Sequence, residues 1–302
     1  MRRISPEKRA QFALRSQLLE DPITANRMFD ELRYLERHDS GIRTDAKYLR
    51  GLVSEAMSKI SELTDIKIDS PEVIVEPILP GARFVTGYNK ILFYRNIRVE
   101  KTQVEVEKIA YHEAVHFVRD PLVKNELLSK GEFPINYPWV AIDEGIGDFV
   151  ALYLLTGNGP EVISRLSKVH SMEALRGIFE AAKKESGDPT SNMDIMGRYL
   201  REHHYHPTEG GLIYGGSSED VYTIGAMLTT LLYATNNFDG KTTAIEMLMH
   251  PNETLLRQIV SAASNDNGRM AFAVNNISIL ARDRAPGETH KAVEDLITTL
   301  RS

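Results

Sequence analysis

The stretch Tyr111-His112-Glu113-Ala114-Val115-His116 decides how the rest of this chain is read. Residues four apart on an α-helix share a face, so His112 and His116 can aim their imidazole nitrogens at one point. Glu113 lies about 100° further round the helix from His112 and can hold a water there without joining the histidines. This is the H-E-x-x-H arrangement, in which zinc polarises a carbonyl and acidifies water while the glutamate takes the proton. A solvated helix carrying two histidines would show the same letters. The surroundings therefore have to support the reading.

Helical context comes first. Thr102-Gln103-Val104-Glu105 reads as a capping box, in which the Thr102 hydroxyl and the Glu105 carboxylate satisfy early backbone donors. Val106, Ile109, Ala110 and Val118 recur at roughly helical spacing, and Asp120-Pro121 is expected to end the element. Zinc in a peptidase takes three protein ligands and keeps one open position, so two histidines leave a vacancy. A second apolar-periodic segment, Trp139 to Val150, follows and runs to the breaker Gly157-Asn158-Gly159-Pro160.

Within that segment Ala141-Ile142-Asp143-Glu144-Gly145-Ile146-Gly147-Asp148 resembles the glutamate-ligand helix of the gluzincin clan, the group containing thermolysin and the alanyl-type aminopeptidases. The resemblance implies Glu144 as third zinc ligand. It implies Asp148, one turn on, as acceptor of a hydrogen bond from the far nitrogen of a ligand histidine. An exposed acidic face is the alternative for both carboxylates, but it leaves Gly145 and Gly147 unexplained, since each glycine costs a helix about 1 kcal/mol relative to alanine. Close approach of the two zinc helices would account for them. Further on, Val221-Tyr222-Thr223-Ile224-Gly225-Ala226-Met227-Leu228 resembles the Y-x-x-G-x-x-L-like helix start of the aminopeptidase branch. There the likeness implies that the Tyr222 phenol stabilises the oxyanion. A core tyrosine at a helix start is the alternative.

The chain has 302 residues, 42% hydrophobic and 26% charged, a composition that supports a sizeable core. Net charge is −6 with no basic run beyond Met1-Arg2-Arg3, which argues against nucleic acid as partner. There is no cysteine, and this removes disulfides, thiolate zinc sites and cysteine nucleophiles together. No signal-like segment and no stretch near the roughly 20 apolar residues of a membrane span is seen, so the expectation is a cytoplasmic protein without membrane contact.

Residues 1–67 read as an N-terminal helical segment, with helices from about Ser5, over Thr24–Arg37 and over Asp45–Leu63, the last burying Leu49, Leu52, Val53, Met57 and Ile60. Residues 68–98 read as a small sheet built from Val73-Ile74-Val75, Arg83 to Thr86 and Ile91 to Tyr94. In gluzincin-like domains an edge strand of such a sheet pairs with the extended substrate backbone, and the last run, ending near Arg95 and Asn96, is the preferred candidate. The zinc helices occupy 102–156, with Leu122 to Tyr137 as an insertion near the cleft in which Glu126 or Glu132 meets substrate or solvent. A helical part covers 160–302, with helices at 162–169, 172–186, 193–204, 219–235, 242–249, 253–264, 269–282 and 290–300. Gly210 to Ser218 reads as a mobile loop at the cleft rim. Glu202-His203-His204-Tyr205-His206 offers a second metal site, a substrate contact or an oxyanion donor, against the simpler reading of histidines stabilised at a helix C-terminus.

Together these features describe a predominantly helical α+β protein in which residues 68–302 form a gluzincin-like domain, a small sheet followed by a helical zincin-like core. The expected cofactor is one zinc per chain, held by His112, His116 and Glu144. The expected partner is a peptide or protein substrate. Glu113 acts as general base and then acid, Tyr222 as oxyanion donor and Asp148 as the group orienting a histidine. The chain departs from the alanyl-type aminopeptidases in having no G-x-M-E-N-like segment and no large preceding β domain. That favours an endopeptidase or a selective processing peptidase. The alternative is a zinc-binding regulatory or scaffold protein on the same fold, without turnover.

Overall fold

Two aspartates start the first helices of the computed structural model. Asp21 accepts hydrogen bonds from the Ile23 and Thr24 amides at the head of α1 (Pro22–His38), with proline at the first turn, where a missing N–H costs nothing. Asp39 closes α1 and caps α2 (Ser40–Thr64), accepting from the Gly41 and Ile42 amides. The structure describes residues 21–77, 82–85, 88–129, 137–169, 206–208, 211–213 and 218–265. The chain divides into two compact units, Met1–Phe117 and Val118–Ser302. The first of these units holds α1 and α2 packed with the strands that follow them.

In the first unit α2 buries Leu49, Leu52, Val53, Met57 and Ile60, as the spacing predicts, together with Ile42, Ala46 and Ala56. Ala25, Phe29 and Leu32 of α1 pack against Ile74, Val85 and Leu92 of the sheet. The sheet has the order β1-β3-β2, from β1 (Glu72–Glu76), β2 (Ala82–Val85) and β3 (Lys90–Tyr94). β3 runs parallel to β1, with Val73 opposite Ile91, and antiparallel to β2, with Phe84 opposite Ile91. The last run is therefore the central strand, paired on both sides. It cannot be the edge that takes a substrate backbone; the edges are β1 and β2.

Arg33 of α1 ties that helix to the sheet, its Nε and Nη2 donating to the two Glu72 carboxylate oxygens at 2.6 and 2.7 Å, while Lys90 Nζ reaches the same carboxylate at 2.5 Å. The Arg33 guanidinium first, and Lys90 after it, hold the Glu72 carboxyl down at about 2, against the opposing effect of burial. Since the folded value lies below the ordinary one of 4.5, the stabilisation is complete above about pH 4.5 and is lost as pH falls toward 2. The pair is about one-third exposed, so screening leaves on the order of 1 kcal/mol. Thermal unfolding of wild type and Glu72→Gln between pH 6 and pH 3 is expected to show a gap that narrows toward pH 3. A gap independent of pH would refute this account.

The short helix α3 (Ile97–Glu100) leads to α4 (Gln103–Ser129). The capping box is present: Thr102 N–H donates to Glu105 Oε2 at 2.8 Å and Glu105 N–H to the Thr102 hydroxyl at 3.3 Å. Contrary to expectation, Asp120-Pro121 does not end the helix, and Pro121 lies inside it. Proline has no N–H for the Phe117 carbonyl, so the ladder loses one bond at the residue where the first unit ends. Buried Arg119 and Glu126 hold the helix beyond the gap. Leu122 to Ser129 is thus helix and not an inserted loop, and Glu126 is buried rather than solvated or free for substrate; Glu132 lies outside the described residues.

The second unit is organised on α5 (Tyr137–Thr156), whose buried Ala141, Ile142, Ile146, Phe149, Val150 and Ala151 leave little polar surface. α6 (Gly159–Val169), α7 (Ser218–Thr235), α8 (Gly240–Met249) and α9 (Asn252–Asn265) all pack on it, α7 most extensively. Part of the stretch expected as a mobile loop is a hairpin strand: β5 (Gly211–Ile213) pairs antiparallel with β4 (His206–Thr208). The expected helices at 172–186, 193–204, 269–282 and 290–300 lie outside the described residues. Among the described residues no helix is long and apolar enough to cross a membrane. The described residues are predominantly helical, with a three-stranded and a two-stranded sheet, as the α+β reading expects.

Candidate metal centre

Helical spacing brings the two histidines together. His112 Nε2 and His116 Nε2 are 2.9 Å apart, with the rings edge to face. Ligand atoms of His112, His116 and Glu144 all lie within 4.8 Å of one another, an arrangement that could hold a metal ion. Among the described residues this is the group of three or more acidic or imidazole side chains that does so. Two nitrogens each about 2.0–2.1 Å from one zinc at a near-tetrahedral angle stand about 3.3 Å apart, so the observed separation needs only a small opening. Two histidines and one carboxylate are also a donor set that zinc takes in hydrolytic sites. The residues fit the ion.

Glu113 lies outside this ligand set and is buried. Its Oε2 accepts a hydrogen bond from the Phe84 backbone N–H at 2.6 Å. Phe84 belongs to β2, an edge strand, and this N–H points away from the sheet toward the H-E-x-x-H helix. The carboxylate thus has a fixed partner other than water. The Phe84 ring packs edge-on against Phe117 at 5.8 Å, fastening the strand to the helix turn that carries His116. Nothing in the letters Arg83-Phe84-Val85 signals this bond, because a backbone donor carries no residue signature.

Tyr111, next to His112, is buried, and burial pushes its phenol upward while Lys59 Nζ sits 5.1 Å over its ring. Its hydrogen-bonding neighbours are Lys59 and Glu55 of α2. Asp148 is buried one turn after Glu144 on α5, and Glu144 itself is half-buried, so the two are not an exposed acidic face.

Gly145 sits at a helix crossing. A Cβ built on Gly145 would lie 2.6 Å from Gly225 Cα and closer still to the Gly225 carbonyl; one built on Gly225 would lie 2.7 Å from Gly145 N. At Gly145 the close approach is therefore between α5 and α7. Thr229 Oγ1 donates to the Gly225 carbonyl at 3.0 Å, fixing α7 at the crossing. Tyr222 is half-buried and stands three residues before Gly225 on α7, while Glu144 immediately precedes Gly145 on α5. The crossing point thus lies one helical turn from the tyrosine and one residue from the carboxylate.

Sequence reading missed a buried polar cluster in the second unit. Arg119 is fully buried, and burial lowers its pKa against the opposing pull of Asp143. Its Nε donates to Asp143 Oδ1 at 3.4 Å, Nη1 to the Met247 carbonyl and to that of His250 at 3.1 Å, and Nη2 to Asn252 Oδ1. Glu126 accepts from the Asn252 and Glu253 amides at 3.0 and 2.8 Å, capping α9. An arginine three residues past the second histidine reads as an exposed charge until α8 and α9 are placed over it. Of the histidine cluster, His206 begins β4, and His203 and His204 lie outside the described residues.

No protein-family model, curated protein or solved structure matches this chain. The functional reading rests on the residues themselves.

Proposed function

We propose that the protein is a zinc-dependent peptide hydrolase of the gluzincin type, an endopeptidase or a selective processing peptidase, with a zincin-like core around α4 and α5. One observation carries the reading: His112, His116 and Glu144 converge within ligand distance while Glu113, between the two histidines in sequence, is left out of the set and hydrogen-bonded to a strand edge. A glutamate spared from coordination has the role of a base in this chemistry. When bound, zinc supplies Lewis-acid polarisation of the scissile carbonyl and lowers the pKa of the attacking water.

The chain's own residues do the rest. Glu113 accepts the proton of the attacking water and hands it to the leaving amine; the Phe84 amide orients its carboxylate for both transfers. The Tyr222 phenol donates to the oxygen that gains charge during attack. Asp148 accepts from the ring N–H of a ligand histidine, selecting the tautomer whose other nitrogen is free to coordinate. Substrate is a peptide in extended form, and β2 is the strand edge beside Glu113. The non-catalytic alternative keeps the three ligands and leaves Glu113 only its bond to the Phe84 N–H.

Elemental analysis of purified protein after zinc reconstitution and desalting tests the proposal. About one zinc per chain is expected for wild type, and a severalfold reduction in Glu144→Ala with the fold retained. A wild type that holds no zinc after reconstitution would remove the metal-centre reading entirely.

A further inference from the structure

The buried cluster around Arg119 has a geometric relation to the candidate ligands. Arg119 lies three residues after His116 on α4, on the same side of the helix and one turn along. Asp143, which receives the Arg119 Nε at 3.4 Å, is the residue immediately before Glu144 on α5. Asp143 Oδ1 also accepts from Asn252 Nδ2 at 3.3 Å, and Asn252 takes a further bond from Arg119 Nη2. The guanidinium is closed off on its remaining side by the Met247 carbonyl and the His250 carbonyl at the end of α8. Every bond of this cluster is directional, and together they fix the register of α4 against α5 one turn from the ligands.

A buried arginine is a costly way to fill space. Replacing buried ion pairs by apolar side chains of similar volume is often neutral or stabilising. What the arginine supplies, and an apolar residue would not, is a fixed position for Asp143 and thus for the backbone of its neighbour. We infer that Arg119 is a positioning residue for the metal ligand Glu144, acting through Asp143 to hold the carboxylate where the two histidines converge. The inference rests on the metal-centre reading above and deepens it. Groups that orient ligands typically contribute about 10- to 100-fold to metal affinity.

The test compares zinc dissociation constants, measured by competition with a chromogenic chelator, in the full chain carrying Arg119→Met, Asp143→Asn, Arg119→Lys or Leu255→Ala. Leu255 is a buried α9 residue outside the cluster and serves as a control for stability alone. Thermal unfolding of the zinc-free proteins is recorded alongside. Arg119→Met is expected to weaken zinc binding about 10- to 100-fold. Asp143→Asn should shift it in the same direction, and Arg119→Lys should recover part of the loss because it keeps a donor toward Asp143. Leu255→Ala should leave the constant within about threefold of wild type even where it lowers the melting temperature as much. An Arg119→Met protein with wild-type affinity, or a loss matched by Leu255→Ala at equal destabilisation, would overturn the inference. Should Arg119→Met not fold, Asp143→Asn decides alone, and unchanged affinity there overturns it equally. Failure of the underlying reading is distinguishable, because wild type itself would then bind no zinc.

Discussion

Glu113→Gln is expected to abolish peptide cleavage while leaving zinc in place. The substitution keeps the shape of the side chain and an oxygen that can still accept from the Phe84 N–H, so the strand-to-helix bond survives. It removes only the capacity to take a proton. General-base catalysis by a positioned side chain contributes about 10²- to 10⁴-fold. Turnover against a mixed peptide library should therefore fall by about a thousandfold or more, near 4 kcal/mol of transition-state stabilisation. Zinc stoichiometry should be unchanged, because Glu113 is outside the set formed by His112, His116 and Glu144. Stability should hold or rise slightly, since a buried carboxylate is exchanged for a neutral amide. Cleavage retained within tenfold would show that Glu113 is not the base. Zinc bound by a wild type that cleaves nothing would favour the regulatory or scaffold reading.

A second large effect is expected at the helix crossing. An exposed mid-helix glycine replaced by alanine ordinarily gains up to about 1 kcal/mol. Gly51 in α2 is such a position, with nothing within 4 Å of where a methyl would stand, and Gly51→Ala should stabilise the protein slightly. Gly145→Ala and Gly225→Ala should do the reverse. At each position the new carbon would meet backbone atoms of the other helix, which cannot rotate aside as a side chain would. The helices must separate, at a cost of about 3 kcal/mol or more. For a unit of this size that corresponds to a fall of about 6–12 °C in melting temperature. Separation also moves Tyr222 relative to Glu144, so catalysis should suffer beyond the loss of folded protein. Circular-dichroism melting of the three variants gives the comparison directly; Gly145→Ala with wild-type stability would mean that α5 and α7 do not cross at the glycines.

Local chemistry made much of this legible in advance. The Thr102–Glu105 capping box, the buried stripe of α2 and the spacing of His112 and His116 all depend on residues a few positions apart, where helix geometry alone sets the distances. The convergence of Glu144 on the histidines was legible too, through the likeness of its helix to a known pattern. The end of α4 was misjudged because proline's local penalty was weighed without the buried anchors at Arg119 and Glu126 that carry the helix past it. The edge strand was misjudged because strand order is not sequence order: β3 comes last of its sheet's three strands in the chain and is central in that sheet.

The amino-acid sequence by itself determined the Thr102–Glu105 cap, the buried face of α2, the spacing of the two histidines and the presence of a glutamate beside them, since each is a matter of short-range covalent geometry. Only the tertiary structure decided what meets these elements from far along the chain. It placed the Phe84 amide on Glu113, Gly225 against Gly145, and Asp143, Asn252 and the α8 carbonyls around Arg119. These partners are backbone groups, missing side chains and a charge hidden by helices more than a hundred residues later. Their roles follow from packing the apolar faces together, and no residue type announces them.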